Sequence, residues 1–235
     1  MRRAPTLLAV ALMMLLVEAG GVQTVQAAGL PVTSKNLAVF RTCVLTATAA
    51  ASTSATDSTV NQAAATTNTG TATTLDSQSG SAANRRTYVR FDLTLCSPAI
   101  PSAASVNLAT IRLYATVIPA ACRTEDIFTA TASWTEAAIT WNNQPFGATI
   151  NNPASGSRID SITMGPACQN TAAGYVNGWV VTSVVQSWVA GSTTNNGWMI
   201  RDDTEGSATT RTATFSSKNA ANAARGPQLI VTYTT

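Results

Sequence analysis

Histidine is absent from all 235 residues. Without it there is no His-based serine or cysteine triad and no imidazole general acid–base chemistry. No Cys-x-x-Cys pair occurs either, so neither ligand type of a zinc site is supplied. Charge is scarce: charged residues make up 11% of the chain, the formal net charge is +3, and the only lysines are Lys35 and Lys218. Nonspecific nucleic-acid binding needs a concentrated basic stripe, so no nucleic-acid partner is expected. Acidic residues cluster only at Asp202, Asp203 and Glu205, in IRDDTEGS. A glycosidase needs two carboxylates facing each other across a cleft. Three crowded into one short stretch after a strand suit a turn or a cation site instead, and no enzymatic activity is expected.

Long apolar runs are also missing beyond residues 7–17 (LLAVALMMLLV). Arg2 and Arg3 precede that run and Val25-Gln26-Ala27 follows it, the three-part pattern of a secretory signal peptide. The run is short for a bilayer span, which takes roughly 20 residues. Cleavage after Ala27 is expected, giving a secreted, extracellular protein with no membrane span. The expected organisation is a signal peptide at 1–27, a lead-in at 28–53 and one domain at 54–235. Four cysteines, Cys43, Cys96, Cys122 and Cys168, fall in the exported part, and an even count in an oxidising compartment implies two disulfides. Of the three pairings that four cysteines permit, Cys43–Cys96 and Cys122–Cys168 are favoured, because each ties a loop flanking strands adjacent in sequence.

Hydrophobic residues make up 45% of the chain, and Thr, Ser, Asn and Ala are abundant, as suits strands with uncharged polar outer faces. Residues 49–80 look like low-complexity linker, yet TDSTV and TATTL within them have β character and read as edge strands, with a disordered linker as the competing reading. In 87–93, Val89, Phe91 and Leu93 alternate with Tyr88, Arg90 and Asp92. In 110–117, Ile111, Leu113, Ala115 and Val117 alternate with Arg112, Tyr114 and Thr116. This period of two marks half-buried strands. Further strands are expected at 126–132, 138–141, 159–164, 197–201, 212–216 and 228–233, with a tight turn at Asn195-Asn196-Gly197. The exception is 183–191 (SVVQSWVAG), where Val184, Val185, Trp188 and Val189 follow helical spacing, Ser183 and Gln186 fit a capping box, and Gly191 suits a left-handed stop. The fold class is therefore all-β, a jelly-roll-like antiparallel β-sandwich with one short helix.

Several stretches in order carry a resemblance: SGSAANRRTYVRFDL at 79–93, ATIRLYAT at 109–116, SWTEAAITWNNQP at 133–145, VTSVVQSWVAGSTTNNGWMIRDD at 181–203 and the closing PQLIVTY. Together they resemble carbohydrate-binding module family 96, the DNRLRE domain, over roughly 55–233. The resemblance implies a secreted, noncatalytic jelly-roll sandwich, with acidic polysaccharides such as alginate as the ligand class. Departures are the four cysteines, an extra loop around 151–170, and a module standing alone where the family usually appends it to a catalytic domain. The alternative is a structural or adhesive surface protein without glycan specificity.

Binding an anionic glycan or cell-surface polysaccharide calls for exposed aromatics or arginines, whose forked donors match carboxylates. If the strands at 87–93 and 110–117 are neighbours in one sheet, Tyr88, Arg90, Arg112 and Tyr114 converge on one polar face. Arg201 and Lys218 are weaker additions. Alternatively, these arginines are solvated strand residues paired with Asp92 and other acids. No cofactor is required. A structural Ca2+ would draw on Asp202, Asp203 and Glu205 with Asp57 or Asn61, or the same residues simply form a solvated turn. Trp134, Trp141 and Trp188 occupy periodic positions and are expected in the core, with Glu136 ordering the turn between the first two.

Overall fold

Alternating side chains do build strands throughout the computed structural model, which describes residues 38–49 and 54–235. In chain order these are β1 (Phe40–Thr46), β2 (Ala55–Asn61), β3 (Thr74–Ser79), β4 (Arg85–Phe91), β5 (Ser105–Arg112), β6 (Tyr114–Val117), β7 (Arg123–Thr129), β8 (Asp160–Met164), β9 (Gly174–Tyr175), β10 (Trp179–Val180), β11 (Trp198–Asp202), β12 (Arg211–Ser216) and β13 (Gln228–Thr234). The helix α1 (Thr182–Val189) lies between β10 and β11. The expected signal peptide at 1–27 lies outside the described residues.

Every pairing of these strands is antiparallel. One sheet has the order β1-β13-β5-β10. The larger, curled sheet has the order β8-β7-β11-β4-β3-β12-β6-β9, with β2 joined to β4. The all-β sandwich is therefore the observed fold. Leu45, Ile111, Trp179, Leu229, Val231 and Tyr233 from the small sheet meet Leu75, Val89, Phe91, Ile127, Trp198, Ile200 and Phe215 from the large one in a single buried core. Burying side chains of this size contributes about 1.5–3 kcal/mol each, before the entropy cost of ordering them.

A second apolar layer covers the other face of the large sheet. Val60, Tyr88, Phe128 and Met199, which alternate with core-facing neighbours, are capped by Ala130, Trp134, Ile139, Trp141 and Phe146. The tryptophans at 134 and 141 are thus core residues, as expected. Their segment is not the strand expected at 138–141. Asn143 holds it as a turn, accepting from the Thr140 N–H and donating to the Ala138 carbonyl, while the Ile139 N–H donates to Thr135.

Other expectations change as well. The stretch set apart as a lead-in contributes β1, whose Cys43 and Leu45 join the core and whose backbone pairs with β13 along its whole length. The linker-like stretch contributes β2 and β3, and β3 is an interior strand between β4 and β12. Hydroxyls and amides suffice there because each finds a partner: Ser77 donates to Glu125, Ser79 to the Thr204 carbonyl, and Gln78 accepts from Thr212. In α1 the capping box does not form. Gln186, the box's second member, instead accepts from the Val106 N–H and donates to the Ala104 carbonyl at the start of β5, while Thr182 accepts from the Ala109 N–H farther along the same strand. Gly191 does adopt φ +69° and closes the helix, with Ser192 N–H bonded to the Ser187 carbonyl.

Disulfides join Cys43 to Cys96 and Cys122 to Cys168. The first ties β1 to the turn after β4, the second ties the start of β7 to the loop after β8.

Candidate functional site

The single strand expected at 110–117 is two. The chain runs along β5 in the small sheet to Arg112, turns at the buried Leu113, and enters the large sheet as β6 at Tyr114. Arg112 lies on β5 in the small sheet, while β4 and β6, though both in the large sheet, are separated there by β3 and β12, and Tyr88 is buried under the second apolar layer, so the expected four-residue patch does not assemble.

Tyr88 is fully buried, its hydroxyl donating to Gln144, and burial pushes its pKa well above the ordinary value. Arg90 is half-buried over the Trp134 ring. Arg201 is also fully buried. It donates to the Asp202 and Pro153 carbonyls and the Ser155 hydroxyl and lies over Phe128. Lys218 is buried in an ion pair with Glu136.

At the β5–β6 corner, however, Arg112 and Tyr114 acquire two partners that the sequence did not suggest. Tyr114 lies opposite Tyr175 of β9, their rings edge-to-face with centroids 5.4 Å apart. The guanidinium of Arg112 lies 5.1 Å from the Tyr175 ring centre, and that of Arg225 lies 4.7 Å from the Tyr114 ring centre. The result is a surface row in the order Arg112, Tyr175, Tyr114, Arg225. It is well fixed: the Tyr175 hydroxyl shares its one proton between the carbonyls of Ala224 and Gly226, both at 2.8 Å, and Asn222 accepts from the Ala224 N–H. A side chain at Gly226 would strike the Ala47 carbonyl, so the loop carrying Arg225 presses directly on the small sheet.

Arg85, Arg86, Arg123, Arg158 and Lys218 each have a carboxylate partner, whereas among the described residues neither Arg112 nor Arg225 has one within 4.0 Å. Arg41, Arg90, Arg201 and Arg211 also lack a carboxylate within 4.0 Å among the described residues, but only Arg112 and Arg225 stack on the two members of one tyrosine pair. Burial raises the Tyr175 pKa, so its hydroxyl keeps its proton. Two unpaired cations stacked on two tyrosine rings can pair with anions and offer aromatic faces to a sugar ring. Tyr175 and Arg225 left no periodic signal: β9 is two residues long, and Arg225 ends a single 3-10 turn, Ala223–Arg225.

The residues considered for calcium are engaged elsewhere. Arg123 binds Asp202 and Asp203, while Arg86 binds Glu205. Asp57 is buried and accepts from the Lys218 N–H. Burial raises its pKa to about 7. Asn61 accepts from the Ala63 N–H at a helical turn. Among the described residues no group of three or more Asp, Glu, Cys or His side chains is placed to hold a metal ion.

Among those residues, too, no helix is long and apolar enough to cross a membrane. A family model described as carbohydrate-binding module family 96 matches residues 48–233. No curated protein sequence matches the chain.

Proposed function

This chain belongs to carbohydrate-binding module family 96, and on that premise we propose that it grips an acidic polysaccharide through the row Arg112, Tyr175, Tyr114 and Arg225. The observation that carries the reading is the pair of arginines lacking carboxylate partners, one at each end of a tyrosine pair. Uronate carboxylates supply the missing partners, and the ring faces supply contact area between them. The role is binding without catalysis, and the two disulfides suit work outside the cell.

Titration with alginate and polygalacturonate oligomers by calorimetry tests this. Arg112→Ala and Arg225→Ala should each weaken binding about tenfold to a hundredfold, the range expected for one charge-assisted hydrogen bond. Binding should also weaken with added salt. Affinity unchanged in the double variant removes this row from the account.

A second reading, an adhesive surface protein, draws on the outer face of the small sheet. There Phe40 is 74% exposed, and Val44, Leu108 and Val180 are also open to solvent. Silence toward every uronate polymer, together with self-association in solution, favours that reading.

A further inference from the structure

Between α1 and the turn that leads into β11 lies an open depression of about 550 Å3. Thr129, Ser183, Ser187, Thr193, Thr194 and Asn196 supply its polar lining, and Ala130, Val184 and Trp188 its apolar one. No charged side chain lines it. Its size falls within the roughly 300–1,000 Å3 typical of small-ligand sites.

Two properties separate this depression from an ordinary surface dent. The first is its supply of unengaged polar groups. Among the described residues, the hydroxyls of Thr129, Ser183, Thr193 and Thr194 and the carboxamide of Asn196 have no hydrogen-bond partner. Ser187 makes only the local bond to the Ser183 carbonyl. The second is that both walls are fixed. Gly191 and Ser192 close α1 onto the Trp188 and Ser187 carbonyls. On the other wall, Asn195 donates to the Phe91 carbonyl and accepts from the Gly197 N–H, while Trp134 Nε1 donates to the Asn196 carbonyl at 2.8 Å. Gly197 has φ +76°, and a side chain there would meet the Val89 carbonyl at 2.5 Å, so the turn seats directly on β4. A ligand entering this site orders little that is not already ordered, which limits the entropy cost of binding.

We propose that this groove is a second sugar site, selective for a neutral pyranose. Free hydroxyls and an amide match sugar hydroxyls as both donors and acceptors. Half-buried Val184 and the rim of Trp188, which is 8% exposed and packed on Trp198, offer a narrow apolar strip to the C–H face of the ring. With no cation in the lining, a carboxylate entering here would lose hydration without a counter-charge. The inference stands apart from the acidic-polymer reading: it concerns other residues and the opposite charge preference.

Amide spectra of 15N-labelled protein, titrated to about 10 mM with cellohexaose, mannohexaose and xylohexaose, provide the test, a range that detects millimolar affinity. At least one of the three should shift the amide signals of Ser183, Ser187, Thr194 and Asn196 and the Trp188 indole. The shifts should persist in about 0.5 M salt, where charge pairing is screened, and in the Arg112→Ala, Arg225→Ala double variant. They should vanish in S187R and in T194R, two substitutions on opposite walls. An unchanged signal from the Trp179 indole, which is buried in the core with its N–H on the Glu125 carbonyl and does not line the groove, reports that each variant is folded. No shift with any of the three sugars, or shifts that survive both groove variants, overturns the proposal. If the groove responds while uronate oligomers do not bind, only the acidic-polymer reading fails. If uronates bind at the arginine row and the groove stays silent, only this one does.

Discussion

Arg86 uses all five guanidinium N–H groups inside the protein. It donates twice to Glu205, at 2.7 and 2.8 Å, and also to Gln144, Gly147 and Thr149, while lying 4.6 Å from the Trp141 ring centre. Both members of the ion pair are fully buried. Removing one partner strands the other charge away from water, at a cost of about 3–5 kcal/mol. Arg86→Ala should therefore lower the urea-unfolding free energy by that amount. Arg86→Lys should recover little, since a lysine cannot make the forked contact. Equal stability of wild type and R86A in urea would show that the pair contributes nothing net. In the sequence Arg86 is one of three arginines in NRRTYVRF, and alternation alone puts it on the face of Tyr88. That face reads as solvent until the segment carrying Trp134, Trp141 and Phe146 is known to fold over it. The tryptophans were legible as core because size and spacing suffice. The buried arginine was not, because its partners lie 58 to 119 positions away.

At the scale of elements, periodicity found most strands and the helix, and it failed where hydrogen bonds rather than apolar faces decide the structure. β3 carries Thr, Asp, Ser and Gln and is nonetheless interior, held by side-chain partners on β7, on β12 and in the turn after β11. The helix shows the same effect. Gln186 ties its middle to the start of β5 through two hydrogen bonds, 2.7 and 3.2 Å long. Gln186→Ala should cost about 1–3 kcal/mol through the loss of those partners, with faster amide exchange at Val106. Gln186→Glu should be milder, because it keeps the acceptor. Unaltered exchange at Val106 in the alanine variant would show that β5 does not depend on the helix. The corner at Leu113 was equally hidden. Apolar alternation continues unbroken from Ile111 to Val117 while the backbone passes from one sheet to the other. The corner takes Arg112 off the sheet that carries β4, and the segment with Trp134 and Phe146 covers Tyr88, so the anticipated face does not form, and Tyr175 and Arg225, the partners of Arg112 and Tyr114, were not foreseen.

For the molecule as a whole, the buried carboxyl groups give stability a pH dependence. Glu125 is buried among Asp202, Ser77 and Arg123, and burial raises its pKa from 4.5 to about 8. Asp57, shielded from solvent on β2, rises to about 7. Both groups bind protons more tightly folded than unfolded. Their contribution is therefore complete below the ordinary carboxylate range, falls as the medium becomes more alkaline, and is gone above the folded values, at about 1.4 kcal/mol per pH unit per group at the steepest. Urea midpoints should accordingly decline between pH 5 and pH 8, and Glu125→Gln, which keeps a neutral side chain able to bond with Ser77, should flatten that decline. A decline of the same slope in the glutamine variant would exclude Glu125 as its origin.

The turn at Leu113 has a mechanical corollary. Arg112 is rooted in one layer of the sandwich, Tyr114 and Tyr175 in the other, and Arg225 in the connection that returns from the second layer to the first. A polymer lying across all four would act as a clasp between the layers, so that a load tending to slide them apart must first strip the ligand. How firmly the chain is held and how much force the protein withstands would then be two measures of one coupling.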